Sequence, residues 1–273
     1  MAFRRSTVRS RSAPPWLRPE QRSAWDRDGF FRLPRFAGPD VCKAMLERVS
    51  ELCARAESGA DVADALRMAE PALRDAPGSA AERTSKLFKV HRHEPVFNAF
   101  CRDPRLLAVV SALLGPDLDC FLSQFIFKNP GALGQPWHQD AFYFPFDRRP
   151  QVGVWLAVTE ATLENGPLWV LPGSQREPIH PVEPDRREHA QMGYVEITDH
   201  DMRGEIPVLL EPGDLLIFHG HLMHKSTDNR SRGMRAAMVY HYGQAGTVDR
   251  TLEFRPHTLN DWLPVLRGGD RVP

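Results

Sequence analysis

Two hydrophobic spacings divide the chain. As far as Gly115-Pro116, apolar positions recur three and four residues apart. In GPDVCKAMLERVSELCARA (residues 38–56), Val41, Met45, Leu46, Val49, Leu52 and Cys53 form one stripe behind a Pro-Asp start, which predicts an amphipathic helix. EPVFNAFCRDPRLLAVVSALLGPDL predicts two shorter helices, the second stopped at Gly115-Pro116. Ahead of them, LRPEQRSAWDRDGFFRLPRF reads as a short helix, a turn at Asp28-Gly29 and a strand ending near Pro34. Residues 58–84 are rich in Ala, Gly and Pro and are expected to be partly mobile.

After that point the spacing changes. Segments 119–128, 151–159, 167–171, 206–210, 214–219 and 235–243 are short, rich in β-branched or aromatic residues, and separated by Gly, Pro and Asn clusters. Such spacing predicts an antiparallel sandwich or barrel rather than alternating βαβ units. The expected class is therefore mainly β with α (α+β), a β-core buttressed by N-terminal helices. Residues 176–205 are too long for a turn and should form a lid or wall.

Composition narrows this picture. A chain of 273 residues with 42% hydrophobic and 26% charged residues suits a single domain, placed at 19–273 behind a basic, Ser-rich arm at 1–18. That arm is acid-free, as a mitochondrial transit peptide is, but no apolar face accompanies its arginines. Lys+Arg and Asp+Glu balance at 35 each, so no net field favours nucleic acid or an anionic membrane, and no protein partner is implied. Cys42, Cys53, Cys101 and Cys120 lie far apart with no ligand-like spacing, which fits free thiols in a reducing cytoplasm. No apolar run reaches the ~18 residues of a membrane helix. The expectation is a soluble, cytoplasmic protein acting on a small molecule.

The candidate chemistry starts at PWHQDAFYFPF (residues 136–146). If this segment is extended, His138 and Asp140 share a face, two corners of a metal's coordination sphere, and Phe142, Phe144 and Phe146 line up beside them. Eleven histidines, each followed two places on by an acid with chance 35/273, give roughly 1.4 such pairs by accident. The pair alone therefore carries almost no weight. A third ligand must come from elsewhere, and His219, His221 and His224 are on offer.

HKSTDNRSRGMR singles out His224. Ser226 follows it by two and Arg235 opens an apolar strand, with Asp-Asn and Arg-Gly elements between. A hairpin there would set a metal ligand beside an inward guanidinium, while Arg230 and Arg232 stay on the surface. A dicarboxylate chelated at one end needs a cation at the other, which Arg supplies bidentately with a hydroxyl such as Ser226 assisting. His180, His189, His200 and the HRH at 91–93 show no paired ligand spacing and are read as structural or solvent-facing.

The combination of RDGFFRLPRF, IFKNP, PWHQDAFYFPF, GVWLAVTEATLENGPLWVLPGSQ and GDLLIFHGHLMHKSTDNRSRGMR resembles the phytanoyl-CoA dioxygenase family of iron(II)- and 2-oxoglutarate-dependent oxygenases, over nearly the whole chain. The resemblance implies a double-stranded β-helix, a jelly roll of the cupin kind, with Fe(II) held by His138, Asp140 and His224. It implies 2-oxoglutarate on Arg235 and Ser226, with Trp155 lining its pocket. Gln124 and Lys86 are further candidates, and Lys89 or Lys128 could replace Lys86. O2 takes the remaining iron position, and the implied reaction hydroxylates an aliphatic carbon with succinate and CO2 as coproducts. Halogenating relatives replace the ligand carboxylate by a small residue, so Asp140 argues for hydroxylation, with desaturation or ring closure still open. YFPF is shared with the enzyme after which the family is named, which turns the substrate toward an acyl derivative, beside a secondary metabolite. The competing readings are a jelly-roll protein using zinc for hydrolysis or isomerisation, and a metal-bound sensor without turnover. One departure appears at Gln175, where many relatives carry histidine.

Overall fold

The computed structural model of the chain describes residues 17–60, 62, 65–188, 190 and 192–272. Helices α1 (Pro19–Asp28), α2 (Pro39–Glu57), α3 (Pro95–Cys101) and α4 (Pro104–Leu114) alternate with strands β1 (Phe30–Leu33), β2 (Leu66–Ala69) and β3 (Thr84–Phe88). Each of these four helices begins with proline, whose missing N–H is unneeded in the first turn. Gly29, at φ 84°, ends α1 in the left-handed conformation that a side chain would resist. Strands then dominate: β4 (Leu118–Lys128), β5 (Val152–Ala157), β6 (Leu168–Val170), β7 (Glu183–Pro184), β8 (Val195–Glu196), β9 (Ile206–Val208), β10 (Leu215–His219), β11 (His224–Ser226), β12 (Arg235–Gln244), β13 (Leu263–Arg267) and β14 (Asp270–Arg271). Two single helical turns, α5 (Asp140–Tyr143) and α6 (Thr251–Phe254), interrupt them.

The large antiparallel sheet runs β1-β10-β5-β12-β4-β13-β14, with β3 also on β4 and β2 on β3. A small sheet, β11-β6-β9, packs against its inner face, which makes the double-stranded β-helix. Strand alternation decides what goes where. Phe125, Phe127, Val154, Leu156, Met238, Tyr240 and Tyr242 point outward and join Met45, Val49 and Leu52 of α2 and Leu107 of α4 in one core. Each side chain so buried contributes roughly 1.5–3 kcal/mol. Trp155, Ala157, Leu216, Phe218 and Val239 point inward, against Val170 and Val208 of the small sheet. Gly153 is required there, because a Cβ would lie 2.2 Å from the Phe218 ring.

Several expectations need correction. Leu17 is buried and the Arg18 N–H donates to Gln21 Oε1 at 2.9 Å, so the domain starts before residue 19. The remainder of the proposed arm, residues 1–16, lies outside the described residues, as does His189. Within 58–84, a segment for which composition named no element, β2 forms a ladder with β3. His224 and Arg235 are not on a hairpin. β11 pairs with β6 in the small sheet, whereas β12 pairs with β4 and β5 in the large one. The connection crosses between sheets, fastened by Asn229 Nδ2, which donates to the carbonyls of Lys128 and Gly233 at 2.7 Å each. No described helix is long and apolar enough to cross a membrane. All four cysteines are buried and unpaired.

Candidate functional site

His138 and His224 are brought together by the backbone. They form an isolated antiparallel bridge in which each N–H donates to the other's carbonyl at 3.0 Å, and their ring centroids are 4.2 Å apart. His138 Nδ1 lies 2.7 Å from Pro136 O and His224 Nδ1 lies 2.9 Å from Leu222 O. A carbonyl accepts only from an N–H, so both rings carry the proton on Nδ1 and keep the Nε2 lone pair for a ligand.

Asp140 completes the group. Its Oδ1 lies 3.6 Å from His138 Nε2 and 3.7 Å from His224 Nε2. All three donor atoms lie within 4.8 Å of one another, and all three residues are buried. Two neutral imidazoles and a carboxylate on one side of a cavity fit a divalent metal with open positions opposite. Burial pushes the His224 imidazole down to about 4, keeping it neutral and available as a ligand. Burial alone would raise the Asp140 carboxyl, but His224, His138 and His241 outweigh it and hold the group well below the usual carboxylate range.

His219 and His221 stand apart. His219 packs its ring 5.4 Å from Trp25, and its Nδ1 accepts from the His221 N–H at 2.9 Å.

The ligand group opens onto a cavity of about 390 Å³, with Arg235, Ser226, Trp155, Gln124, Lys86 and Lys128 on its wall. Arg235 is 1% exposed, and its Nε and Nη2 both donate to Gly166 O, at 3.2 and 2.9 Å. Its Nη1 has no partner among the described residues, nor does Trp155 Nε1. Arg235 sits 5.4 Å over the Trp155 ring, and burial pushes its guanidinium down to about 10. Lys128 Nζ donates to Ser226 Oγ at 2.8 Å, while Lys86 Nζ faces Gln135 Oε1 at 3.4 Å and the Tyr194 ring at 4.8 Å. Burial lowers Lys86 to about 8 and Lys128 well below its ordinary value. Lys89 is not on this wall. Three buried basic side chains and two unpartnered donors are thus gathered where Glu70 is a nearby acid, so the pocket suits an added anion.

The aromatic run behaves differently from the extended segment expected. Asp140 opens the helical turn α5, which breaks the two-residue alternation and rotates the following side chains. Phe144 and its neighbour Tyr143 line the cavity, whereas Phe142 and Phe146 do not. Phe146 instead packs on Phe121 and Trp262, and Phe142 on Tyr143 and Arg255.

Three features went unread in the sequence. His241 Nδ1 lies 3.8 Å from Asp140 Oδ2, on the wall of the same cavity. Its position six residues after Arg235 on one strand puts both on one face, a signal that was available. Gln135 Nε2 lies 3.0 Å from His138 Nε2. His180 and His200, expected to be structural or solvent-facing, converge on Glu177. The long segment 176–205 does form a wall, with Met192, Gly193 and Tyr194 facing the cavity. His91 is structural, its ring nitrogens 2.7 Å from Ser123 Oγ and 2.9 Å from Asp261 O.

Comparison with known proteins gives the chain a family and a fold. The profile described as phytanoyl-CoA dioxygenase (PhyH) matches residues 25–237. Phytanoyl-CoA dioxygenase domain-containing protein 1 of Rattus norvegicus is 28% identical over 271 residues, covering 85% of this chain and 92% of that protein. The peroxisomal phytanoyl-CoA dioxygenase of the same organism is 27% identical, covering 83% and 68%. Among solved structures, EctD from S. alaskensis with 2-oxoglutarate and 5-hydroxyectoine aligns with a TM-score of 0.67 at 24% identity, covering 87% and 80%. The epimerase SnoN in complex with Fe3+, alpha ketoglutarate and nogalamycin RO aligns at 0.65 with 19% identity, covering 92% and 96%. Those two share the fold. With the family profile spanning both the ligand group and the start of β12, the chain belongs to the phytanoyl-CoA dioxygenase family and is a 2-oxoglutarate-dependent non-haem iron dioxygenase.

Proposed function

We infer that the enzyme hydroxylates an aliphatic carbon of a small organic substrate, with His138, Asp140 and His224 holding Fe(II). The observation that carries the reading is one cavity wall joining that buried ligand group to the unpartnered donors Arg235 Nη1 and Trp155 Nε1. A zinc hydrolase or isomerase would not of itself require Arg235 and Ser226 together on the wall beside the metal group. When bound, iron with 2-oxoglutarate and O2 supplies oxidative decarboxylation to succinate and CO2, coupled to insertion of one oxygen atom into a substrate C–H bond.

The chain's own residues do the rest. The Pro136 and Leu222 carbonyls fix the two imidazoles with Nε2 toward the metal. Arg235 and Ser226 bind the far carboxylate of 2-oxoglutarate, with Lys128 donating to Ser226 and thereby orienting its hydroxyl. Trp155 and Gln124 border that subsite, and Lys86, whose Nζ faces the Gln135 amide that reaches His138, would offer its charge to the other carboxylate. Met68, Phe88, Leu122, Phe144 and Leu259 give the remaining wall an apolar character suited to an aliphatic or acyl chain. Met192, Gly193 and Tyr194 add a wall from the 176–205 segment, which would limit water at the site. Four buried, unpaired thiols support a reducing, cytoplasmic setting.

Anaerobic addition of Fe(II) and then 2-oxoglutarate should produce a weak visible charge-transfer band, and admission of O2 should release succinate. Its absence in folded protein would overturn the cosubstrate assignment. Mass analysis of a turned-over substrate should show one added oxygen atom; loss of two hydrogens instead would replace hydroxylation by desaturation or cyclisation.

A further inference from the structure

A second set of donors lies outside the iron group, at the root of the 176–205 wall. Glu177, His180 and His200 place one ligand atom each within 4.8 Å of the others, and all three are half-buried. Both imidazoles aim the same nitrogen at one carboxylate oxygen: Glu177 Oε2 lies 3.0 Å from His180 Nε2 and 2.9 Å from His200 Nε2. A tetrahedral ion with bonds of about 2.0–2.1 Å has neighbouring ligand atoms about 3.3 Å apart, so the two carboxylate–imidazole edges need to open by only a few tenths of an ångström.

The surroundings match a metal site as well. His180 Nδ1 faces Asp199 Oδ1 at 3.4 Å, a carboxylate behind the imidazole that orients its ring with Nε2 toward the cluster. The backbone around the donors is tied down independently. The Glu177 N–H donates to Ser174 O at 3.0 Å and the His180 N–H to Gln139 Oε1 at 2.9 Å. The Ile197 N–H donates to Trp137 O at 2.8 Å, three residues before His200.

We propose that Glu177, His180 and His200 bind a second divalent cation of the zinc class, which clips the two ends of the wall together. Two imidazoles and a carboxylate at close range favour Zn(II) over Mg(II) or Ca(II), and a water takes the fourth position. The excursion between the donors carries the short β7–β8 ladder and the cavity residues Met192, Gly193 and Tyr194. It is also anchored on Gln139, which lies between the iron ligands His138 and Asp140 and donates from Nε2 to Pro178 O and His221 O at 3.0 Å each. The clip therefore holds the wall against the segment that bears the first metal, without sharing a ligand with it. It is independent of the substrate and cosubstrate assignments above.

The test is zinc stoichiometry in chelator-stripped, full-length protein. His138→Ala/His224→Ala, which lacks the iron group, should bind one Zn(II) per chain, and adding Glu177→Gln, His180→Asn and His200→Asn should weaken that binding by more than the ~100-fold that losing an outer partner costs. Zinc should also slow proteolytic cleavage between residues 181 and 198 in the first variant and not in the second. No zinc on a folded His138→Ala/His224→Ala chain, or equal binding with and without the three further changes, overturns the proposal and leaves Glu177 as a plain acceptor for two histidines. If the iron-group variant does not fold, the unsubstituted enzyme serves instead: two equivalents should fall to one in Glu177→Gln/His180→Asn/His200→Asn, and one equivalent in both overturns it.

Discussion

The two faces of β12 share one backbone and differ in almost everything else. On the outer face Ala236, Met238, Tyr240 and Tyr242 are packed against helices, and both phenols are satisfied, Tyr240 by Phe97 O at 3.1 Å and Tyr242 by Cys101 O at 2.8 Å. The inner face carries Arg235 and His241, with Arg235 Nη1 and both His241 ring nitrogens lacking partners among the described residues. A buried polar group without a partner costs roughly 1–3 kcal/mol. The outer face thus stabilises the fold, while the inner face is held in a costly state, which the proposed cosubstrate would relieve at Arg235. Stability and binding should separate by side-chain parity along a single strand.

The largest break in that comparison comes from the ligands. His138→Ala or His224→Ala should abolish iron binding and succinate formation, a loss beyond the ~100-fold expected of an outer partner, while urea unfolding of the metal-free chain changes little. His219→Ala and His221→Ala should leave the iron in place. If His221→Ala removes it and His224→Ala does not, the ligand assignment fails.

Next are paired substitutions on opposite faces. Arg235→Met should weaken 2-oxoglutarate binding by about 2–5 kcal/mol, as truncation of one member of a buried charge pair does. The same change should raise the unfolding midpoint without cosubstrate, because it removes an unpaired buried cation. On the outer side, Leu107→Ala should lower the unfolding free energy by about 2–5 kcal/mol and leave the Kd for 2-oxoglutarate unchanged. Calorimetric binding and urea titration of both variants check this, and a shared effect on both quantities would contradict the separation.

Acid sharpens the contrast, since His219 shares the outward parity of Leu215 and Ile217 on β10. Burial, with smaller contributions from His221 and Arg149, pushes His219 down to about 4. Between pH 6.5 and 4 the unfolded chain binds a proton that the native ring refuses, so stability falls as pH drops through that window and is unaffected above it. The full loss approaches about 3 kcal/mol. Urea midpoints at pH 7 and pH 5 should differ less in His219→Gln than in the unsubstituted protein. Equal differences would remove His219 as a source of acid sensitivity.

Legibility in the sequence followed the same division. The outer core was readable because its period is local: Met45, Val49 and Leu52 repeat at helical spacing, and all are buried. Inner-face pairings depend on which strands meet, and no local pattern encodes that. The residues His224 and Arg235 could be singled out, but a hairpin was inferred where the chain crosses between two sheets. Alternation misled at PWHQDAFYFPF, because a single helical turn at Asp140–Tyr143 shifts the register and exchanges Tyr143 for Phe142 and Phe146 on the cavity wall. Glu177, His180 and His200 were illegible for a further reason: their convergence rests on the Gln139 side chain, which accepts from the His180 N–H 41 positions on, and on a backbone bond from the Ile197 N–H to Trp137 O, 60 positions apart.

His241 tests how far parity alone can predict chemistry. It falls on the inner face with Arg235, its Nδ1 is 3.8 Å from Asp140 Oδ2, and its ring lies 5.2 Å from Phe144 and 5.8 Å from Phe121. At 3.8 Å it makes no hydrogen bond in this geometry, but a small rotation of the carboxylate toward it would supply one. That contact would fix the orientation of a ligating carboxylate from behind, a positioning role whose loss costs about 10–100-fold in metal affinity. His241→Leu should therefore weaken Fe(II) binding by that factor while holding or raising the unfolding midpoint, since a buried imidazole with no partner is replaced by an apolar side chain of similar volume. A merely structural ring would give the opposite result, lower stability with iron affinity intact. In that case the inner face of β12 would owe its polarity to Arg235 alone.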